Sequence, residues 1–197
     1  LAIDIGVEYI ELDLRKSSDD SLMVIHDATL NATTNGSGNV SAYSYAQLKS
    51  LDAGSWFGPA FVAAQIPSLY EVLLLAKLNQ TKVCVEMKDA GMEAAVVALI
   101  QQLGMVDEVI LFSFSFTELQ VIKQLNPLLK ICWLDNTISI AEINQLQAIG
   151  GEYVGAGNIP ALSSIKHAQS LQIGFLIWTI NDPEQMMLLM SKGVAGI

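Results

Sequence analysis

Glu11, Asp13 and His26 are the residues of this chain whose types and spacing point most directly to chemistry. Glu11 and Asp13 occupy alternate positions of an otherwise apolar segment, so in a β-strand both carboxylates lie on the same face. His26 ends a second apolar segment and is followed by Asp27. A buried carboxylate pair is unfavourable unless a cation or hydrogen bonds offset its charge. The pattern predicts a metal site with an acid/base group beside it, whereas either motif alone also fits a solvated strand edge or a loop.

The two apolar segments are joined by the polar residues 15–21, a connection too short for a parallel crossover, which takes a dozen or more residues. We therefore expect an antiparallel hairpin. If its turn centres on Ser18 and Asp19, Glu11 lies opposite His26 and Asp13 lies opposite Val24. Directly opposed residues share a face, with Cβ atoms roughly 5 Å apart.

Length and charge limit the classes of protein that fit. The chain has 197 residues, which suits a single domain over 1–197, and its net charge of −10 disfavours nucleic acid and anionic membranes as partners. No apolar run approaches the roughly 18–20 residues that span a bilayer, and no signal peptide is visible, which favours the cytoplasm over the periplasm or secretion. Cys84 and Cys132 lie in apolar runs and are expected to be buried thiols. The oligomeric state stays open.

Strand and helix patterns alternate after an inserted loop at about 28–65. A helix is expected from about Ser68 to Leu78, with Ser68 and Glu71 forming a capping box. Apolar strands are expected at 175–181 and from Val194 onwards. Alternating strands and helices predict parallel βαβ units, and the count fits an α/β (β/α)8 TIM barrel that is incomplete, with the first strand missing and the last one cut. An open doubly wound sheet is the second choice, but no Gly-rich phosphate loop follows any strand.

Active sites of such barrels lie at the carboxyl ends of the strands. Carboxylates at one barrel end suit Mg²⁺ or Ca²⁺, which prefer oxygen ligands, and nothing resembles a zinc site, because the two histidines lack ligand spacing. His167 falls in a predicted helix and is expected to be a surface or packing residue. Trp178 fits a pocket wall and a core position equally well. The polar and aromatic residues at the predicted strand ends are Glu11, Asp13, Glu86, Lys88, Ser113, Trp178 and Asn181.

These residues resemble the glycerophosphodiester phosphodiesterase family of the phosphatidylinositol-phospholipase-C-like barrels. The resemblance covers nearly the whole chain and includes the family's Ile-Glu-x-Asp, His-Asp, Ile-Pro-Thr-Leu-x-Glu, Glu-x-Lys and Trp-Thr-Val-Asn patterns. Each piece alone is short, but they occur in the family's order. The matching segments are Gly6–Leu14, Ser17–Asp20, Met23–Asp27, Leu30–Gly36, Ile66–Leu73, Glu86–Lys88, Ser113–Phe114 and Trp178–Asn181.

The resemblance implies roles for these residues. Glu11, Asp13 and Glu86 match the family's ligands for a divalent cation, Mg²⁺ or Ca²⁺. His26 matches one of two catalytic histidines, and Lys88 matches a residue near the phosphate, while Trp178 is expected in the substrate-binding wall. The implied reaction is hydrolysis of a small glycerophosphodiester to glycerol 3-phosphate and an alcohol. Loops such as the insertion are expected to determine which alcohol group is recognised.

The family's His-Arg-Gly motif, which carries the other catalytic histidine, does not occur in the sequence. We expect it just upstream of Leu1, and so expect residues 1–197 alone to be inactive and the parent protein to be the enzyme. Two alternatives stay open: a barrel domain that binds without catalysis, and a related phospholipase-D-like enzyme acting on sphingomyelin or lysophospholipid.

Overall fold

The computed structural model describes residues 2–197, which fall into two compact units, one ending at Val109 and one spanning Ile110–Ile197. Whether they behave as the single domain expected from the sequence stays a prediction. The strands are β1 (Tyr9–Lys16), β2 (Leu22–Val24), β3 (Lys82–Met87), β4 (Val109–Ser113), β5 (Lys130–Asp135), β6 (Tyr153–Ala156) and β7 (Gly174–Ile177). The helices are α1 (Ala2–Ile5), α2 (Tyr45–Lys49), α3 (Leu69–Leu78), α4 (Glu93–Leu103), α5 (Phe116–Leu125), α6 (Ile140–Ala148), α7 (Leu162–Ser170) and α8 (Pro183–Ser191).

In the first unit, β1 lies between β2 and β3. It runs antiparallel to β2 and parallel to β3, with Asp13 paired to Glu86. Leu12 and Leu14 alternate with the acidic residues of β1 and are buried, Leu14 completely. This alternation fixes which face of the strand carries the carboxylates, because a shift of one residue would bring them into the core.

The β1–β2 hairpin forms as predicted, but its register differs by one residue. Leu14 is the partner of Val24, so Asp13 does not lie opposite Val24, and Glu11 does not lie opposite His26. The turn centres on Asp19, because Ser17 N donates to Ser21 O at 3.0 Å and Asp20 adopts a left-handed φ of 57°. The Ser17 hydroxyl also accepts a hydrogen bond from Ser21 N at 2.8 Å. These bonds add one residue to the turn that we assumed.

The insertion at about 28–65 has its own small hydrophobic core, which packs against β2 and the residue that follows it. A capping box between Ser44 and Gln47 begins α2, a short helix within this loop. Burial of six apolar side chains here fixes the insertion to the strand that leads to His26. The core residues are Met23, Ile25, Leu30, Val40, Leu48 and Ile66.

Asp52 organises the outer part of the insertion. Its carboxylate accepts hydrogen bonds from Gly54 N (2.8 Å), Ser55 N (2.8 Å), Ser55 Oγ (2.6 Å) and Ala63 N (3.0 Å). These bonds, led by the Ser55 hydroxyl, hold the pKa of Asp52 well below its usual range. The loop that they fix carries three exposed aromatic side chains. The ring of Phe57 lies edge-on to Trp56 and to Phe61, at 5.6 and 5.1 Å between ring centroids.

Two helix boundaries in the first unit, the start of α3 and the end of α4, follow from local sequence signals. Ser68 caps α3 and forms the predicted capping box with Glu71. Gly104 ends α4 in the left-handed conformation, with a φ of 64°, which glycine adopts without steric cost. Between these two helices, β3 pairs with β1. No helix among residues 2–197 is long and apolar enough to cross a bilayer.

In the second unit, β4, β5, β6 and β7 are neighbours in that order and pair in parallel. Each connection carries a helix, as the alternating pattern predicted. Ser115 caps α5, and Ser139 and Glu142 form a capping box at α6. The central strands are apolar and almost completely buried, as expected of parallel strands covered on both faces.

Two strand predictions in the second unit are corrected. β7 ends at Ile177 rather than Asn181, because the chain leaves the ladder and leads to Asp182, which caps α8. The segment from Val194 onwards lies beside β7 through hydrogen bonds such as Ala195 N to Phe175 O (2.8 Å), but it forms one bridge, Leu176 to Gly196, rather than a strand.

Candidate active site

Glu11, Asp13 and Glu86 form a cluster of carboxylates at the carboxyl ends of β1 and β3. One oxygen of each lies within 4.8 Å of one oxygen of the others. The parallel register places Asp13 directly beside Glu86, and Glu11 lies two residues earlier on the same face of β1. Glu86 is the most buried of the three, at 8% exposure, and Glu11 is the most open to solvent. The structure therefore brings the three predicted metal-ligand candidates together.

The cluster shifts the proton affinity of its members. Loss of solvation, followed by repulsion from Asp13 and Glu86, raises the pKa of Glu11 to about 7. Burial also raises the pKa of Glu86, against the opposing effect of its ion pair with Lys88. Desolvation disfavours the charge on Lys88, but its bonds to Glu86 and Asp13 outweigh this and raise the pKa of the ammonium group. The site thus holds more negative charge than Lys88 alone neutralises.

One buried oxygen of the cluster has Lys88 as its partner in an ion pair. Glu86 Oε1 is the buried side-chain atom for which no hydrogen bond forms, among the nitrogens and oxygens of residues 2–197. Lys88 Nζ lies 2.5 Å from it and 3.1 Å from Asp13 Oδ1, so one ammonium group pairs with both carboxylates. Three carboxylates that share a single ammonium group keep net negative charge, which fits a hard divalent cation.

His26 reaches this side of the strands from the segment after β2. Ile25 N donates to Asp13 O at 3.0 Å, which extends the hairpin by one residue and leaves His26 just beyond it. His26 Nδ1 lies 2.8 Å from Asp27 Oδ1, and 71% of the His26 side chain is exposed. Since an ionised carboxylate only accepts hydrogen bonds, Asp27 places the proton on Nδ1 and leaves Nε2 with its lone pair.

Arg15 and Asp89 join the candidate site, although sequence reasoning missed both. Arg15 Nε donates to His26 O at 3.0 Å, and its Nη1 donates to Asp89 Oδ1 at 2.8 Å. Asp89 follows Lys88, and its other oxygen accepts from Lys16 N at 2.9 Å. The signal available in the sequence was the period of two, because Arg15 continues the face of β1 that carries Glu11 and Asp13.

In the second unit, Trp178 is half-buried and packs over glycines of β6 and the loop after it. A Cβ at Gly155 would lie 2.9 Å from Trp178 Cζ3, and one at Gly157 would lie 3.4 Å from Trp178 Nε1. The exposed ring of Phe114 meets Trp178 edge-on at 6.1 Å. The two rings form a partly exposed aromatic surface, and the pocket-wall role of Trp178 stays a prediction.

Three further residues singled out in the sequence, Ser113, Asn181 and His167, lie in the second unit. Ser113 is buried and donates to Glu118 Oε2 at 2.6 Å, at the start of α5. Asn181 is exposed in the loop before α8. His167 is a surface residue of α7, with Nε2 2.7 Å from Asn144 Oδ1. The expectation that His167 is not a site residue agrees with this contact.

Comparisons with known proteins point to one family. The model of the glycerophosphoryl diester phosphodiesterase family matches residues 1–197. A glycerophosphodiester phosphodiesterase of Caldanaerobacter subterraneus is 32% identical over 206 residues, covering 100% of this chain and 83% of the relative. A glycerophosphodiester phosphodiesterase of Bacillus subtilis is 32% identical over 212 residues, covering 96% of this chain and 72% of the relative.

Solved structures agree in fold. A glycerophosphodiester phosphodiesterase from Agrobacterium tumefaciens superposes with a TM-score of 0.84 at 28% identity, covering 100% of this chain and 85% of that one. A phosphodiesterase of Oleispira antarctica, determined in complex with sn-glycerol-3-phosphate, gives a TM-score of 0.88 at 23% identity and covers 82% of that chain. The expected α/β barrel class is confirmed, although residues 2–197 do not by themselves supply all eight strands of a closed barrel. The chain belongs to the glycerophosphoryl diester phosphodiesterase family.

Proposed function

We propose that this protein hydrolyses glycerophosphodiesters to glycerol 3-phosphate and an alcohol, with a divalent cation held by Glu11, Asp13 and Glu86. The observation that supports this most directly is the carboxylate cluster, whose ligand oxygens lie within 4.8 Å of one another. The names of the relatives support the substrate class, since the similar proteins of known name are glycerophosphodiester phosphodiesterases.

The cation would supply Lewis-acid stabilisation of the negative charge on the phosphoryl oxygens. Mg²⁺ and Ca²⁺ both suit three carboxylates, and the set of ligands alone does not favour one. Lys88, which pairs with Asp13 and Glu86, is proposed to offset part of the negative charge of a bound phosphate. Substrate binding at this end of β1 and β3 thus brings an anion to a cationic side chain.

His26 is proposed to move the proton. With Asp27 as the partner of Nδ1, Nε2 of His26 is proposed to take part in one of the two proton transfers, the other belonging to the second histidine of the family pattern. The exposed position of the imidazole leaves Nε2 accessible to a substrate. Trp178 is proposed as a substrate-binding residue because it matches the family's Trp-Thr-Val-Asn pattern, and its ring is only partly buried beside that of Phe114.

The first test is release of glycerol 3-phosphate by the full-length protein from glycerophosphocholine and from glycerophosphoethanolamine. The assay is run with EDTA, and then with Mg²⁺ or Ca²⁺ added back. We expect EDTA to abolish release, one or both cations to restore it, and His26→Ala to lower kcat by about 10²–10⁴-fold.

His167→Ala is the matched control, because it removes the chain's other histidine from a surface contact with Asn144. It is expected to keep full activity. A folded protein that releases no glycerol 3-phosphate with either cation and either substrate would overturn the proposed function. Activity that survives EDTA would overturn only the proposed metal requirement.

A further inference from the structure

The backbone on either side of His26 is anchored, by the buried Ile25 before it and by Ala28 O, which accepts from Val40 N at 2.9 Å. The His26 side chain itself is 71% exposed, so packing does not fix the imidazole. The β1–β2 ladder ends at Val24, and the last backbone bond to β1 comes from Ile25. What fixes the position of His26 must therefore act through its backbone or through Asp27.

Arg15 supplies a backbone contact. Its guanidinium donates from Nε to His26 O at 3.0 Å and from Nη1 to Asp89 Oδ1 at 2.8 Å. Because a guanidinium is planar and rigid, two donors that point in fixed directions hold their acceptors at a fixed separation. A flexible ammonium group has no such geometry.

Asp89 in turn holds Arg15. It accepts from Arg15 through one oxygen and from Lys16 N, at 2.9 Å, through the other. Both side chains are mostly buried, at 18% and 30% exposure, so solvent competes little for these bonds. Asp89 also follows Lys88, so the same network joins the loop after β3 to the loop after β2.

We propose that Arg15 and Asp89 are positioning residues that fix His26 relative to the carboxylate cluster, so that turnover depends on two residues that need not touch the substrate. This inference rests on the proposed function. If Arg15 and Asp89 were only an ion pair, they would contribute to stability alone, and such pairs often contribute little. A positioning pair affects turnover through His26, and the experiment separates the two roles.

The test compares Arg15→Gln, Arg15→Lys and Asp89→Asn in the full-length protein. Losing a partner that orients a catalytic group is expected to lower kcat by about 10–100-fold, as for groups that orient metal ligands. KM and the concentration of cation giving half-maximal activity are expected to stay within about threefold, because neither residue contacts the cluster. Arg15→Lys is expected to fail nearly as badly as Arg15→Gln, since the lysine keeps the charge but loses the planar fork.

Glu8→Gln provides the matched control. Glu8 pairs with Lys82 at 3.0 Å, and this ion pair joins the same two strand regions at their opposite ends. It is expected to leave kcat unchanged. Full activity of Arg15→Lys, or an equal loss of activity in Glu8→Gln, would overturn the positioning role.

A second readout does not depend on turnover. The imidazole ¹⁵N resonances of His26 report which nitrogen carries the proton, and those of His167 serve as an internal reference. We expect Arg15→Gln and Asp89→Asn to change the His26 signals from one fixed tautomer to an exchanging mixture, with His167 unaffected. Unchanged His26 signals in both variants would refute the inference, even if the wild-type protein proved inactive on glycerophosphodiesters and the proposed function had failed separately.

Discussion

Glu11→Gln is expected to stabilise the metal-free protein at high pH and to leave it unchanged at low pH. The pKa of Glu11 rises from 4.5 in the unfolded chain to about 7 in the cluster. A carboxyl group with a raised pKa favours folding while it is protonated, and this contribution is lost as the pH rises from about 4.5 through about 7. Glutamine resembles the protonated acid and loses nothing over the same range.

The size of this stability difference follows from the pKa shift of Glu11 and from the solvent exposure of its side chain. At full strength the change in pKa corresponds to roughly 3 kcal/mol. Because Glu11 is exposed as a whole residue, solvent screening reduces this to about 1–2 kcal/mol. For a chain of this length, 1 kcal/mol shifts Tm by about 2–4 °C, so we expect Glu11→Gln to melt about 2–8 °C above wild type at pH 8.

The assay is thermal unfolding of wild type and Glu11→Gln at pH 5 and pH 8, in EDTA and in excess Mg²⁺ or Ca²⁺. In EDTA the difference in Tm is expected to be near zero at pH 5 and positive at pH 8. With a cation at pH 8 the order is expected to reverse, since only wild type keeps all three carboxylates proposed to bind it. A Glu11→Gln protein no more stable than wild type at pH 8 in EDTA would show that burial and the neighbouring carboxylates do not disfavour the charge on Glu11.

Three further predictions concern other parts of the chain. Burial, reinforced by Glu11, raises the pKa of Cys84 to about 12, and Cys132 is also buried, so the native protein at pH 8 is expected not to react with a disulfide reagent until it unfolds. Leu14→Ala, at a completely buried position, is expected to lower the free energy of unfolding in urea by about 3 kcal/mol, and a loss below about 1 kcal/mol would contradict the packing of β1. Gly155→Ala is expected to displace the Leu134 side chain and the Trp178 ring, which its Cβ would approach to 2.7 and 2.9 Å, and so to shift tryptophan fluorescence and raise KM; an unchanged spectrum would argue against these contacts.

The carboxylate cluster could be predicted from the sequence because strand geometry is local. Alternation at Glu11 and Asp13 fixes one face of a strand, and Glu86 and Lys88 repeat the same pattern on another. Parallel pairing then brings the two faces together at the same end. The family resemblance added an order of motifs that placed these strands as neighbours.

The details that could not be predicted depend on interactions that the sequence pattern does not contain. The hairpin register was one residue off, because the hydrogen bonds between Ser17 and Ser21 lengthen the turn, and nothing in the polar run of residues 15–21 singles out that closure. The contact between Arg15 and Asp89 joins residues 74 positions apart. It depends on the offset between β1 and β3 and on two loop conformations, so no local pattern reveals it.

The insertion separates the residues that hold it in place from those that it exposes. Its inner side chains pack against β2, and Asp52 fixes the outer loop through the backbone at Gly54, Ser55 and Ala63. Trp56, Phe57 and Phe61 lie between these anchor points with their rings largely open to solvent. Directed evolution of this protein can therefore concentrate its diversity at 56–62 while Asp52 and the inner core stay constant, and a library built that way will sample new surfaces with little loss of folded members.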